Sequence, residues 1–481
     1  MTDAVATMLS FPPDNIDTLS PRDYDKAMDG YLKKLEKLPA SAWTKAVGEQ
    51  NVLELIDPEV NSLPYLNSLL QQVRAAAKDR KKQEELLDNA IIFCTSFDPV
   101  QVRYLGEQWR DLMEWVTDML ANLSMPDFSA VTSAMLRLDP TAGTFTTLHL
   151  HLVRRCLEIG APSQALPILD KNLYAFPVAP PKNAQDDLLS EPHELSNAFI
   201  TTKSGFTHKL HSDSVLEYYL LGAHVYIGLR NLERARLFLE YIILHPSSSH
   251  ATSALQVEAF KKWVLIGLLS EGKRWPLPRT HDVAVMKSIR SLTKPYDALA
   301  ENFEKRDHRK MAAEMEVGAQ IWQEDGNQRL VKEVGNALLR YRVLDMQKTY
   351  AALPVSRVAT FLDVAPDMTI TMLGEMIRSG HLNASVTNGN TPGDAVLRFH
   401  PATTTSSSDS ELEHQTQRIQ DLIMFVRDAD RRLQLTKEYV ETQKRAKRAG
   451  ADGDLADQMD LTWDAPAPGL ANDGDEDIMA A

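Results

Sequence analysis

The chain has 481 residues, room for two or three domains or for one extended repeat array. Its 21 glycines are sparse for a sandwich or barrel, and its Leu, Ala, Glu, Lys, Arg and Gln favour helix; two cysteines, Cys94 and Cys156, are too few for a disulfide framework and point to a reducing compartment. The formal net charge of −14 is uneven, because from Gly450 onward nine acidic residues meet no basic one, and the near-neutral remainder shows no broad basic surface to advertise nucleic-acid binding.

The first residues, "MTDAVATMLSFPPDNIDTLS", have neither a basic start nor a continuous apolar core, so no secretory signal is expected. No apolar run approaches bilayer length, and a soluble intracellular protein with no membrane contact is the expectation. Residues 1–140 read as successive helices. In "YLGEQWRDLMEWVTDML", Leu105, Trp109, Leu112, Val116 and Met119 recur at steps of four and three, one amphipathic stripe. Tyr65, Leu69 and Val73 mark another, with Leu87 and Ile91 beyond a charged stretch.

Residues 141–327 carry an internal repeat. His149, Val153, Cys156, Ala165 and Leu169 correspond to Tyr219, Ala223, Tyr226, Ala235 and Leu239 with identical relative spacing. Each set predicts a helix, a tight connection and a second helix with a small Ala at the close approach, the pattern of tetratricopeptide-like hairpins. Between them, residues 177–213 are Pro- and Ser-containing and aperiodic, which predicts a long surface loop. A third helical pair starts at Leu255, with Phe260, Val264 and Leu268 on one face.

Residues 328–402 change character. A long helix over 327–353, a short one in "PVSRVATFLDV" and a third in "APDMTITMLGEMIRSG" precede two β-like runs, "LNASVT" and "AVLRFH". Three helices and a hairpin predict a winged helix. After a Thr/Ser spacer at 403–408, one further helix spans 411–449, and the acidic tail 450–481 is expected to be disordered. The fold class is therefore mostly α: helical-repeat solenoid, winged helix, long C-terminal helix.

The candidate catalytic and metal sites fall on inspection. His149 and His151 form an H-x-H pair, part of the signature of metal-dependent isopeptidases, whose pattern continues with Ser and Asp. Here Ile159 and Pro162 stand in those places. Residues i and i+2 on a helix point about 200° apart, so the two imidazoles share no ligand. "HELSN" at His193 has Asn197 where H-E-x-x-H needs its second His. "GLLSEGKR" matches a phosphate loop from Gly267 to Lys273, but Arg274 replaces the hydroxyl residue and the preceding stretch reads as helix. No catalytic residue, cofactor site or metal site is expected, and the chain is read as a non-enzyme.

Two features read as binding devices. The wing offers a strand edge, with Leu382, Val386, Val396, Leu397 and Phe399 as expected subunit-interface residues. In the last helix, Leu412, Ile419, Val426, Leu433 and Val440 recur at intervals of seven beside Leu422 and Ile423, the register of a seam for other helices. As a DNA reader the winged helix is poor, since "PDMTITMLGEMIRSG" sets one Arg378 against Asp367 and Glu375 among Met368, Met372, Leu373, Met376 and Ile377. The cluster Lys444 to Arg448 is either an import signal or a solvated helix terminus.

The stretches "HLVRRCLEIGAPSQALPILD", "EYYLLGAHVYIGLRNLERARLFLEYIILHP", "EAFKKWVLIGLLSEGK", "LTKPYDALAENF", "MIRSGHLNASV" and "LRFH" together resemble the PCI-domain proteins, scaffold subunits of the signalosome, the proteasome lid and a translation initiation factor. The likeness spans about 148–400 and is greatest to the signalosome branch. It implies a non-catalytic scaffold in an assembly that removes a ubiquitin-like modifier from cullin ubiquitin ligases, with catalysis on a different, metal-bearing subunit. Its implied partners are other PCI and isopeptidase-fold subunits and, through the complex, cullins; its implied location is cytoplasm and nucleus. The alternatives are a PCI subunit of the other two assemblies and a nucleic-acid-binding winged-helix factor.

Overall fold

A computed structural model describes residues 2–13, 19–44, 50–123, 126–179, 188–246, 251–387, 395–400, 409–434 and 437–450. The chain divides into two compact units, 1–400 and 401–481. The described residues are mostly helical, with one small sheet among them.

The first unit begins with helices including Pro21–Glu36, Ser62–Ala75, Arg80–Ser96, Gly106–Ala121 and Ser129–Leu138. The stripes anticipated there face the core: Tyr65, Leu69, Val73, Leu87, Trp109, Leu112 and Val116 are buried, while Leu105, Ile91 and Met119 pack partly buried against them. Side-chain caps set several starts. Asp79 accepts from the Lys82 N–H at 3.4 Å, and Asp98 from the Val100 N–H at 2.9 Å.

The repeat is visible down to its turns. Thr147–Glu158 and Ser212–Gly228 are its first helices, and each ends in a left-handed residue, Gly160 (φ 71°) and Arg230 (φ 63°), seventy positions apart like the rest of the repeat. The next N–H bonds back across the turn, Ala161 to the Cys156 carbonyl at 2.9 Å and Asn231 to that of Tyr226 at 2.9 Å. This 6→1 bond caps carbonyls that the helix end would leave bare. The same turn recurs at Arg306 (φ 58°), with Asp307 N–H bonding the Asn302 carbonyl at 3.1 Å, and at Gly326 (φ 67°), with Asn327 bonding that of Trp322 at 2.9 Å. Ala165 and Ala235, the small residues of the two repeats, are both fully buried. The second helices differ. Leu232–Ile243 is regular, whereas its counterpart is a 3₁₀ turn, Pro162–Ala165, followed by the single turn Leu166–Leu169. Pro162 and Pro167 remove backbone donors there, and a long helix cannot propagate.

The expected surface loop at 177–213 is corrected by the structure. Residues 180–187 lie outside the described residues, but the remainder packs as a strap, with Phe199, Ile200 and Phe206 buried. The Arg103 guanidinium lies 4.3 Å over the Phe199 ring, and its Nη1 donates to the carbonyls of Leu189 at 2.8 Å and Glu191 at 2.9 Å. Leu189 and Ser190 N–H groups donate to the Asp25 carboxylate at 3.2 and 3.3 Å, tying the strap to Pro21–Glu36. Phe206 meets Trp109 edge-on at 5.7 Å. Three apolar side chains at no fixed period give a sequence reader nothing to count, yet each fills a site formed by distant helices.

Beyond the repeat lie Ala254–Glu271, with Phe260, Val264 and Leu268 buried, and Val283–Leu292, where a third helical pair was expected; Lys294–Glu304, His308–Val317 and Ala319–Glu324 are helices that the periodicity did not announce. Gln328–Gln347 then serves two cores. Val331, Val334, Ala337 and Leu338 belong to the solenoid, while Val343 and Met346 belong to the winged module. Tyr341 Oη donates to the Leu269 and Ser270 carbonyls at 3.2 and 2.8 Å, and Arg306 Nε donates to Asp345 Oδ2 at 2.9 Å. Solenoid and winged module are thereby joined along one continuous helix.

The winged module holds Val355–Leu362, Pro366–Arg378 and a sheet of β1 (Ala352–Pro354), β2 (Ala384–Thr387) and β3 (Val396–Phe399). All pairing is antiparallel, in the order β1-β3-β2. The expected helix over 327–353 stops at Gln347, and β1 takes its last residues. Pro354 disfavours helical backbone at Leu353, and a proline is tolerated at the margin of a sheet.

Candidate functional site

The H-x-H pair is the first place to seek chemistry. His149 is the N3 residue of its helix and closes a capping box with Thr146: its Nδ1 accepts from the Thr146 N–H at 3.2 Å. Burial pushes its pKa down to about 4, against the smaller opposing pulls of the Asp139 carboxylate and of the Ala142 and Thr146 backbones. His151 instead places Nε2 3.0 Å from Asp118 Oδ1. Among the described residues no three His, Cys, Asp or Glu side chains are grouped so as to hold a metal ion. Cys94 and Cys156 are buried, and burial pushes both thiols up to about 12, so neither supplies a thiolate near neutrality.

The two motif decoys resolve in the same direction. His193 sits in an irregular stretch with Nε2 2.8 Å from the Leu188 carbonyl oxygen. Gly267 lies inside Ala254–Glu271, and Gly272 (φ 71°) ends that helix. A phosphate cradle needs a helix N-terminus, whereas this loop follows a C-terminus, where the dipole is negative. Arg274 is engaged by Glu304, with Nη2 2.9 Å from Oε2.

The wing residues occupy positions other than those expected. Leu382, Leu397 and Phe399 are buried in the module's own core, and Val386 and Val396 are half-buried. They form no exposed patch. Leu397 is central, paired with Leu353 of β1 on one side and Val386 of β2 on the other, because the unanticipated β1 covers that flank of β3. Among the described residues β2 has one strand neighbour. The His400 N–H donates to the Asn383 carbonyl at 3.0 Å, and residues in an antiparallel ladder alternate in direction. The backbone groups of Ala384 and Val386 therefore point away from β3.

The final segment is two helices, Asp409–Gln434 and Lys437–Gly450, with residues 435 and 436 outside the described ones. Every seam side chain is exposed: Leu412, Ile419 (58%), Leu422, Ile423, Val426 (62%), Leu433 and Val440, with Met424 and Phe425 beside them. The cluster Lys444–Arg448 falls on the second helix, with the side chains past Arg445 outside the described residues. The spacer 403–408, the wing turn 388–394 and residues 451–481 also lie outside them. Among the described residues no helix is long and apolar enough to cross a membrane.

Residues 27–285 match the family described as COP9 signalosome complex subunit 3, N-terminal helical repeats. COP9 signalosome complex subunit 3 of Emericella nidulans is 34% identical over 373 residues, 74% of each chain. Its namesake from Neurospora crassa is 26% identical over 460 residues, 91% of each chain, and that from Dictyostelium discoideum 22% over 438 residues, 89% of this chain and 96% of that one. With its helical repeats and winged module, the chain belongs to the COP9 signalosome subunit 3 family.

Proposed function

We propose that this chain is a non-catalytic scaffold subunit of the signalosome, supporting deneddylation: removal of the ubiquitin-like modifier from cullin ubiquitin ligases by another subunit. Its contacts in this reading are the β2 edge, toward a neighbouring PCI subunit, and the terminal seam, toward helices of PCI and isopeptidase-fold subunits. Cullins are reached through the assembled complex, in cytoplasm and nucleus. The observation that carries the reading is the exposed seven-residue stripe of Asp409–Gln434, continued by Val440. A heptad stripe suits a bundle, whereas a helix lying alone on a surface drifts off that register. Burying Leu412, Ile419, Val426, Leu433 and Val440 at roughly 1.5–3 kcal/mol each is on the order of 10 kcal/mol gross, ample for an anchor.

The test is truncation after Ser410, followed by co-purification with the remaining subunits. The shortened chain should stay folded and monomeric and be lost from the complex. Retention at the full-length level would sink the proposal. A nucleic-acid-reading role has little support, since the exposed residues of Pro366–Arg378 beside its single Arg378 are Pro366, Asp367, Met368, Thr371 and Glu375, two of them acidic.

A further inference from the structure

We infer that the hollow between Pro21–Glu36, Ser62–Ala75, Gly106–Ala121 and the strap docks an extended, basic peptide segment of a partner protein. The hollow measures about 470 Å³, and residues 203–205 of the strap form one of its walls. The terminal seam and the β2 edge play no part in it.

Three side-chain amides line the hollow, those of Asn67, Gln71 and Gln108. All three are half-buried, and none has a hydrogen-bond partner among the described residues. Neighbouring amides behave differently. Gln72, the next residue of the same helix, gives its Nε2 to the Trp43 carbonyl at 3.2 Å and to Asn51 Oδ1 at 2.9 Å. Gln101 donates to the Val60 carbonyl at 2.9 Å. The amides that hold the fold are engaged, whereas those of the hollow keep both donor and acceptor.

A side-chain amide carries the same donor and acceptor as a peptide group and can bond one at two points. Asn67 and Gln71 lie four residues apart on one helix face, about 6 Å along its axis. An extended chain presents the N–H and C=O of one edge every second residue, roughly 6.6 Å apart. The two spacings match, so successive amides of the helix meet successive outward peptide groups of an extended segment.

Charge sets the character of that segment. Glu36 and Glu107 line the hollow against a single cation among the described residues, Lys203. Glu36 has no ion pair there, and Glu107 comes no nearer to Arg110 than 3.9 Å. The hollow is therefore net negative and favours Lys or Arg. Leu32, Leu38 and Trp43 supply an apolar floor, and Leu32 and Leu38 are only half-buried. The fitting segment carries an apolar residue close to a basic one.

The full chain tests this against a displayed library of random linear peptides, first depleted on a chain carrying Asn67→Ala and Gln71→Ala. Peptides that survive should share an apolar residue beside Lys or Arg. A fluorescein-labelled copy, followed by anisotropy, should bind the double variant at least tenfold more weakly than the parent. Glu36→Gln should weaken binding and flatten its salt dependence. Should the double variant melt early, Gln108→Ala, on a different helix, takes its place in depletion and binding alike. No enrichment, acidic consensus sequences, or unchanged affinity for Glu36→Gln and Gln108→Ala overturns the inference. Self-association of the parent that the amide substitutions abolish would assign the hollow to a second copy and overturn it equally.

Discussion

Arg110 and Gly205 are 95 positions apart in sequence, yet Arg110 Nη1 donates to the Gly205 carbonyl at 2.9 Å. The strap can approach that closely because both backbones are bare. A Cβ on Gly106 would stand 2.2 Å from the Ser204 carbonyl oxygen, and one on Gly205 2.5 Å from the Glu107 nitrogen. Gly205 also holds φ at 85°, a conformation that L side chains rarely adopt.

Gly205→Ala should therefore destabilise the chain by about 1–3 kcal/mol, through strain and the backbone clash together. Thermal unfolding of the purified variant reads the loss. An unchanged melting temperature would mean that the strap is free to lift away.

The β2 edge is tested at Val386. Its N–H points away from β3, so Val386→Pro removes an outward donor and leaves the inner ladder bonded. Binding to a neighbouring PCI subunit should weaken at least tenfold while helical content is kept. Leu397→Pro is a poorer probe, because the central strand and the core would fail together.

Ile419→Asp combined with Val426→Asp should abolish retention in the complex. Both side chains are exposed, so the melting temperature of the isolated chain should shift by less than a degree or two. A large drop in stability with assembly intact would show that the stripe packs within its own chain.

His149 is held neutral with its pKa lowered to about 4, and His224 likewise to about 4, chiefly by burial. For a histidine depressed on folding, the unfolded chain binds the extra proton, so stability is full above about 6.5 and is lost as pH falls toward 4. The His149 contribution is on the order of 3 kcal/mol across that window. Melting temperature followed from pH 7 to 4.5 should fall less steeply for His149→Gln than for the parent. Parallel slopes would show that this ring does not govern the acid limb. Elemental analysis of the parent chain should find no stoichiometric zinc, since His149 and His151 have different neighbours.

The sequence by itself determined what local periodicity can carry. The stripes through Tyr65 and Trp109, the seventy-residue echo with its paired alanines, and the helix–helix–helix–strand order after Gln328 were all legible, because helix and strand impose a repeat on the residues that face a core. The angle that separates His149 from His151 was equally local, a matter of position along one helix. Tertiary structure alone decided the rest. β1 was hidden at the end of an apparent helix, since a three-residue strand exists only through its pairing with β3. That pairing moved Leu397 and Phe399 from a presumed edge into a core and left Val386 as the outward donor. The strap was hidden for a related reason. Phe199, Ile200 and Phe206 have no periodicity of their own, and their burial depends on Arg103, Trp109 and Arg110, which only the folded solenoid brings within reach.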